Sequence, residues 1–137
     1  MNAVMQKARA EGVLSVAFGD LFLQDVRAYR EEMCGQIGMA CDFPLWLKDT
    51  RDLARYFVNE GFRAILVCVD PKQLDPSFCG REFDDALLRD LPASCDPCGE
   101  NGEFHTFVYD GPIMRQPVAV QRGEVVERDG FWFCDLM

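Results

Sequence analysis

Glu100, Glu103 and His105 stand close together in the run Asp96-Pro97-Cys98-Gly99-Glu100-Asn101-Gly102-Glu103-Phe104-His105-Thr106-Phe107-Val108-Tyr109-Asp110-Gly111-Pro112. His105 is the only histidine of the chain. An imidazole ionises near neutrality, so it suits proton transfer. Two carboxylates beside it can accept protons or orient a cation. Thr106 and Asp110 add polar groups that can hold a substrate. Gly99 and Gly102 permit positive φ or close approach of a ligand to the backbone. Each residue also has a structural reading. A lone histidine is often a hydrogen-bonded structural group, and Asp110 before Gly111-Pro112 fits a turn cap. Glu100 and Glu103 flank a glycine turn and need not share a face.

The elements that must position these groups follow from spacing. Phe104, Phe107 and Val108 predict a strand stopped by Asp110-Gly111-Pro112, so the polar groups lie on a loop and at both strand ends. Phe62 to Val69 is almost wholly apolar and predicts a strand covered on both faces, ended by Asp70-Pro71. Asp49 or Thr50 caps a helix running to Glu60, with Leu53, Ala54, Phe57 and Val58 inward and Gly61 as the stop. Residues 72–81 form a loop, and Phe83, Leu87 and Leu91 predict a short helix over 82–91. Residues 118–120 and 125–126 read as strand segments. Asp129-Gly130 before Phe131-Trp132-Phe133 predicts a type I′ hairpin.

The front of the chain reads as helix, strand, helix, strand. Residues 2–10 predict a helix ending at Gly12. Residues 14–18 predict a short buried strand, and Gly19-Asp20 follows with a helix starting at once. Phe22, Val26, Tyr29, Met33 and Ile37 form its apolar stripe, with Gly38 as the stop. A strand, then Gly-Asp, then a helix is an arrangement that binds ligands at strand ends in open α/β sheets. Asp20 is therefore a candidate nucleotide or Mg²⁺ contact, or simply the helix N-cap. Residues 40–43 predict a second strand, and Pro44-Leu45-Trp46 leads out of it.

The sequence resembles the diphthine–ammonia ligase family, ATP-dependent proteins of the PP-loop type. The likeness rests on Gly99-Glu100-Asn101-Gly102-Glu103-Phe104-His105-Thr106 and Asp110-Gly111-Pro112. It continues through Phe18-Gly19-Asp20, Arg30-Glu31-Glu32, Pro44-Leu45-Trp46, Gly61-Phe62-Arg63-Ala64, Leu74, Phe78 and Gly80-Arg81. The wording Glu-Asn-Gly-Glu-Phe-His-Thr is similar to the bacterial branch. The family's Ser-Gly-Gly-Lys-Asp-Ser-like phosphate loop has no counterpart here. The resemblance implies an α/β fold: the C-terminal part of a Rossmann-like (HUP-type) nucleotide-binding sheet over 1–48, then a small α+β substrate-side domain over 49–137 ending in a hairpin. It implies ATP with Mg²⁺, with Gly19 and Asp20 on the nucleotide side. In the implied chemistry ATP activates a carboxylate as an acyl-adenylate and ammonia displaces AMP. Glu100, Glu103 and His105 would manage protons, and Asn101, Gly102, Thr106, Asp110 and Arg81 would hold the acceptor. Without the phosphate loop, the expectation is a portion that does not act alone. The alternative is a non-catalytic or partner-dependent module, a homodimer or heterocomplex covering the sheet edge that the absent strands leave open.

Composition bounds these readings. The 137 residues are 49% hydrophobic and 12% aromatic, enough for a core. A net charge of −9 argues against non-specific binding to nucleic acid or anionic membrane. No apolar run is long enough to cross a bilayer, and no secretory signal is read in the first residues, so a cytoplasmic setting is expected. Seven cysteines, an odd number, fit a reduced compartment. Cys95 and Cys98 form a CxxC that could join His105 at zinc, but no second CxxC supports it, and no metal site is expected.

Overall fold

The structure, a computed structural model, describes residues 2–137. The chain divides into two compact units, Met1–Lys48 and Asp49–Met137. It is an α/β protein with one parallel and one antiparallel sheet.

In the first unit, helix α1 (Asn2–Ala10) is followed by Gly12 at φ +97°. Strand β1 (Ser15–Ala17) pairs in parallel with β2 (Ala40–Asp42), and helix α2 (Gln24–Gln36) makes the crossover. Met5, Met33, Cys34 and Met39 form the core of this unit. β1 is not the buried strand that its composition suggested. It has β2 as its partner, so Ser15 and Ala17 stay exposed while Val16 packs inward.

Helix α2 also starts later than the Gly19-Asp20 pair suggested. Leu21 is buried at 4% exposure, and its carbonyl accepts the Leu47 N–H at 2.8 Å. That bond holds the segment out of the helix, so Leu23 takes the N-cap position without a side-chain bond. Asp20 is therefore not the cap. Its Oδ2 accepts from Arg30 Nε at 3.4 Å, and Arg30 lies 4.8 Å above the Phe18 ring. Tyr29 of the expected stripe is 57% exposed, while Cys34, outside that stripe, is buried beside Met33. Phe22 and Ile37 lie just outside the helix ends.

The second unit is built around β3 (Arg63–Val69). Helix α3 (Thr50–Asn59) leads into it, capped by Asp49, whose side chain accepts the Asp52 N–H. Gly61 at φ +92° turns the chain. The sheet order is β4-β3-β6-β5, with β4 (Phe104–Asp110), β5 (Arg122–Arg128) and β6 (Phe131–Leu136), and every pairing is antiparallel. Ala64, Leu66 and Val69 of β3 are fully buried, beside Ala54, Leu74, Phe83, Leu87 and Phe104. Each fully buried Leu or Val contributes about 1.5–3 kcal/mol from its transfer out of water. The Phe83 ring links the aromatics, 5.6 Å from Phe57 and 6.2 Å from Phe104.

β6 pairs with β3 at Cys68 and Val69. Further along, Gly80–Phe83 lies against β3. The Leu66 N–H donates to Arg81 O, Gly80 N–H to Leu66 O, and Phe83 N–H to Ala64 O. This explains why the helix expected over 82–91 is shorter. Residues 80–83 are held extended, so α4 begins at Asp85 under the Asp84 cap and ends at Asp90. Residues 118–120 are likewise not a strand, although the Val118 N–H bonds Tyr109 O at 2.7 Å. The β5–β6 turn has Asp129 at φ 53° and Gly130 at φ 84°, as a type I′ turn requires.

Candidate functional site

Residues 95–103 close into a loop around one carboxylate. Glu103 is 1% exposed. Its Oε2 accepts the Asp96 N–H at 2.6 Å, while Oε1 is buried without a hydrogen-bond partner. Asp96 in turn organises the turn before it. Its Oδ2 accepts the N–H groups of Cys98 at 3.2 Å and Glu100 at 3.1 Å, and its carbonyl accepts the Gly99 N–H at 2.9 Å. Gly99 (φ +66°) and Gly102 (φ +78°) make the two bends. At Gly99 a side chain is also excluded by space, since a Cβ would lie 2.8 Å from Phe104 O.

A second set of bonds ties this loop to the end of β3. The Asp70 N–H donates to Glu103 O at 3.0 Å. Gln73 Nε2 donates both to Asp70 Oδ2 at 2.9 Å and to Asn101 O at 3.2 Å. The Gln73 amide and the Lys72 N–H hold the Asp70 carboxyl below its ordinary range.

Two thiols line the loop. Cys95 is buried, and Cys98 Sγ donates to Thr50 O at 3.3 Å. Burial first, then the Glu103 and Asp96 carboxylates, push the Cys95 thiol up to about 12. Burial first, then Asp96, Glu100 and Asp49, push Cys98 up to about 12. The two sulfurs bond different carbonyls, Cys95 to Asp96 O and Cys98 to Thr50 O, and His105 is exposed on β4. Among the described residues no group of three or more His, Cys, Asp or Glu side chains is placed to hold a metal.

The residues singled out from the sequence separate into four places. Glu100, Asn101, Gly102 and Glu103 share the loop, and His105 and Thr106 follow it, both exposed, at the start of β4. Asp110 is at the other end of β4, roughly 17 Å along the strand from His105. Its Oδ1 accepts the Gly111 N–H at 2.8 Å, the bond of a turn cap. Arg81 pairs with Asp90 Oδ2 at 2.9 Å and lies 5.2 Å from the Phe78 ring centre. Gly19 and Asp20 belong to the first unit. A Cβ at Gly19 would meet nothing within 4 Å, and Asp20 pairs with Arg30.

Sequence reasoning passed over Asp96, Asp70 and Gln73, the residues that hold the loop. The signal for Asp96 was available, because Asp two residues before a turn N–H is an Asx-turn pattern. Also missed was a cleft of about 300 Å³ beside the loop, with Arg51 and Arg55 of α3 on one wall. Their i,i+4 spacing makes them neighbours on α3, but the local sequence does not show what faces them.

Residues 49–136 match the family model of the diphthamide synthase C-terminal domain. Among curated relatives, a diphthine–ammonia ligase of Schizosaccharomyces pombe is 31% identical over 126 residues, covering 89% of this chain and 21% of that protein. The diphthine–ammonia ligase of Bos taurus is 27% identical over 141 residues, 99% of this chain and 52% of that protein. The Homo sapiens protein of the same name is 27% identical over 131 residues, 92% and 48%. The chain thus spans about half the length of the mammalian relatives and about a fifth of the yeast one.

Two outcomes follow from the loop. Gly99→Ala combines a positive φ with a clash against Phe104 O, and should lower stability by about 2 kcal/mol in urea unfolding. The raised thiols make stability pH-dependent in a defined direction. Below 9.0, the ordinary thiol value, folded and unfolded states both hold these protons and the contribution of these thiols to stability is flat. From 9.0 towards 12 the unfolded thiols ionise and the folded ones do not, so stability falls as pH rises. Unfolding midpoints measured below and above pH 9.0 should show this decline, and Cys95→Ala with Cys98→Ala should make it shallower, the remainder coming from other raised thiols such as Cys41 and Cys79.

Proposed function

The chain belongs to the diphthamide synthase C-terminal domain family, and from that premise we propose that it forms the acceptor side of an ATP-dependent, amide-forming ligase. The observation that carries this reading is the Glu103-anchored loop lying inside the matched segment 49–136. The relatives' name, diphthine–ammonia ligase, suggests the reaction. A carboxylate oxygen of the acceptor attacks the α-phosphorus of Mg²⁺-bound ATP and pyrophosphate leaves. Ammonia then forms a C–N bond at the acyl carbon as the bond to AMP breaks. Two protons must leave the nitrogen on the way from ammonium to amide beyond those the product keeps, so nearby bases matter.

In this reading His105, exposed at the start of β4, takes a proton from the nitrogen. Glu100 orients ammonium at the loop, and Asn101, Gly102 and Thr106 contact the acceptor. Glu103 acts through the loop as a positioning residue, because its carboxylate is buried beneath the backbone that it holds. Asp110 and Arg81 have less claim, being committed to a turn and to Asp90. We read residues 1–48 as part of a Rossmann-like, HUP-type nucleotide sheet, a reading supported by the parallel β1–β2 pair, and residues 49–137 as the substrate-side domain. ATP phosphates would be gripped by a segment other than Gly19 and Asp20. The whole reaction is therefore proposed for this chain acting with such a segment. Seven free cysteines favour a reducing, cytoplasmic setting.

A second reading is favoured by the two-stranded parallel sheet, since parallel strands are normally covered and extended on both sides. Here the chain is a non-catalytic module that pairs through the β1 or β2 edge with a second copy or a partner protein.

Calorimetry on the purified chain tests the first reading. A diphthine-bearing peptide should bind without nucleotide, and Gly99→Ala should weaken it. Micromolar binding of Mg·ATP together with indifference to the peptide would sink the acceptor-side assignment. For the second reading, sedimentation velocity should show a concentration-dependent dimer that dissociates when Val16, on β1, is changed to Pro. A strictly monomeric chain at all concentrations removes self-pairing.

A further inference from the structure

The cleft beside the loop has features that the ligase reading does not use. One wall is α3, whose Arg51 and Arg55 project one turn apart. Leu88 and Leu91, at the end of α4, line it too, as do Cys95 and Pro97. The volume of about 300 Å³ is at the small end of the range for ligand sites.

The charge arrangement is the informative part. The chain carries −9 overall, and four of the eight arginines of this unit are committed. Arg81 pairs with Asp90, Arg122 with Glu82 and Arg128 with Asp135, while Arg63 lies over the Tyr109 ring. Among the described residues Arg51 and Arg55 have no ion pair, carboxylate bond or ring contact, although both are exposed and acids are plentiful. Arg89 and Arg115 are also without such partners, but they do not line this cleft. Asp49, the nearest acid before Arg51 in sequence, is occupied in capping the Asp52 N–H. Two guanidinium groups with about 5–6 Å between their Cβ atoms can bracket one oxyanion, and their planar forks match phosphate and carboxylate oxygens. The Cys95 thiol among the lining residues stays protonated at neutral pH, with the Glu103 and Asp96 carboxylates acting on it from the loop side.

We infer that this cleft binds a small anionic ligand, its phosphate or carboxylate held by Arg51 and Arg55 and its apolar part set against Leu88 and Leu91. The site shares Cys95 and Pro97 with the Glu103 loop, but its arginines lie on α3, and its existence does not depend on ligase chemistry.

Titration of the full chain with inorganic pyrophosphate, AMP and hexanoate, followed through the arginine Nε–H signals, tests it at constant ionic strength. Saturable shifts of Arg51 and Arg55 are expected with at least one probe, weakened about tenfold or more in the R51Q/R55Q double variant. Response to pyrophosphate and AMP alone assigns a phosphorylated ligand, and response to hexanoate alone assigns a carboxylic acid. On the unaltered protein, the same probes should protect Arg51 and Arg55 from phenylglyoxal, while Arg115 is modified regardless. This second measurement stands even if the double variant fails to fold. Non-saturating shifts with all three probes, or equal modification with and without them, overturn the inference.

Discussion

A buried carboxylate accepting one backbone N–H is the constraint on which the second unit's functional end depends. Removing Glu103 from water is costly, because a buried charged or polar group keeps its desolvation penalty unless it is paired. The 2.6 Å bond from the Asp96 N–H offsets part of that cost, and Oε1 has no such bond. The bond forms only if residues 96–103 curl back on themselves. Gly99 and Gly102 make the curl possible, and Asp96 fixes it by accepting two N–H groups of the same turn. Asp70 and Gln73 then fasten the loop to β3. The exposed His105 and Thr106 inherit their positions from this arrangement, since β4 starts at Phe104, the residue after Glu103.

Much of the second unit was legible because local signals and burial agree there. Asp49, Gly61 and the inward face of α3 say the same thing about one helix. The apolar run of β3 reads as a central strand because it is one, with β4 on one side and β6 on the other. Asp129-Gly130 specified its turn through backbone conformation alone. The misreadings occur where a long-range backbone bond overrides local preference. Phe83 fits a helical stripe with Leu87 and Leu91, yet its N–H is taken by Ala64 O of β3. Phe22 fits the α2 stripe, yet the Leu47–Leu21 bond delays that helix. Neither bond has a mark in the neighbouring sequence.

The candidate site shows the same division. Residue types identified the loop, and the family match over 49–136 contains it. The direction of each side chain was not legible. Glu100 and Glu103 look equivalent in sequence, but Glu103 is buried and Glu100 is only half-buried. Their difference comes from where Phe104 packs, against Phe83 in the core, which draws the preceding carboxylate inward. The spacing of Arg51 and Arg55 was readable, but the cleft was not, because Leu88 and Leu91, which also line it, come more than thirty residues later in the chain.

The strand order β4-β3-β6-β5 also governs how the unit is made. β3 lies between strands that leave the ribosome at very different times. When β4 has emerged and paired, the other flank of β3 at Cys68 and Val69 still lacks its neighbour, because β6 is the later strand of the β5–β6 hairpin. Cys134 and Trp132, which complete the core, arrive with it. The nascent unit therefore carries an open sheet flank and an unfinished core through most of its synthesis, and folding closes only as residues 131–136 dock. Such long-range closure is slow and leaves apolar surface available for wrong contacts in the interval. The Asp129-Gly130 turn shortens that interval, since it delivers β6 already zipped to β5.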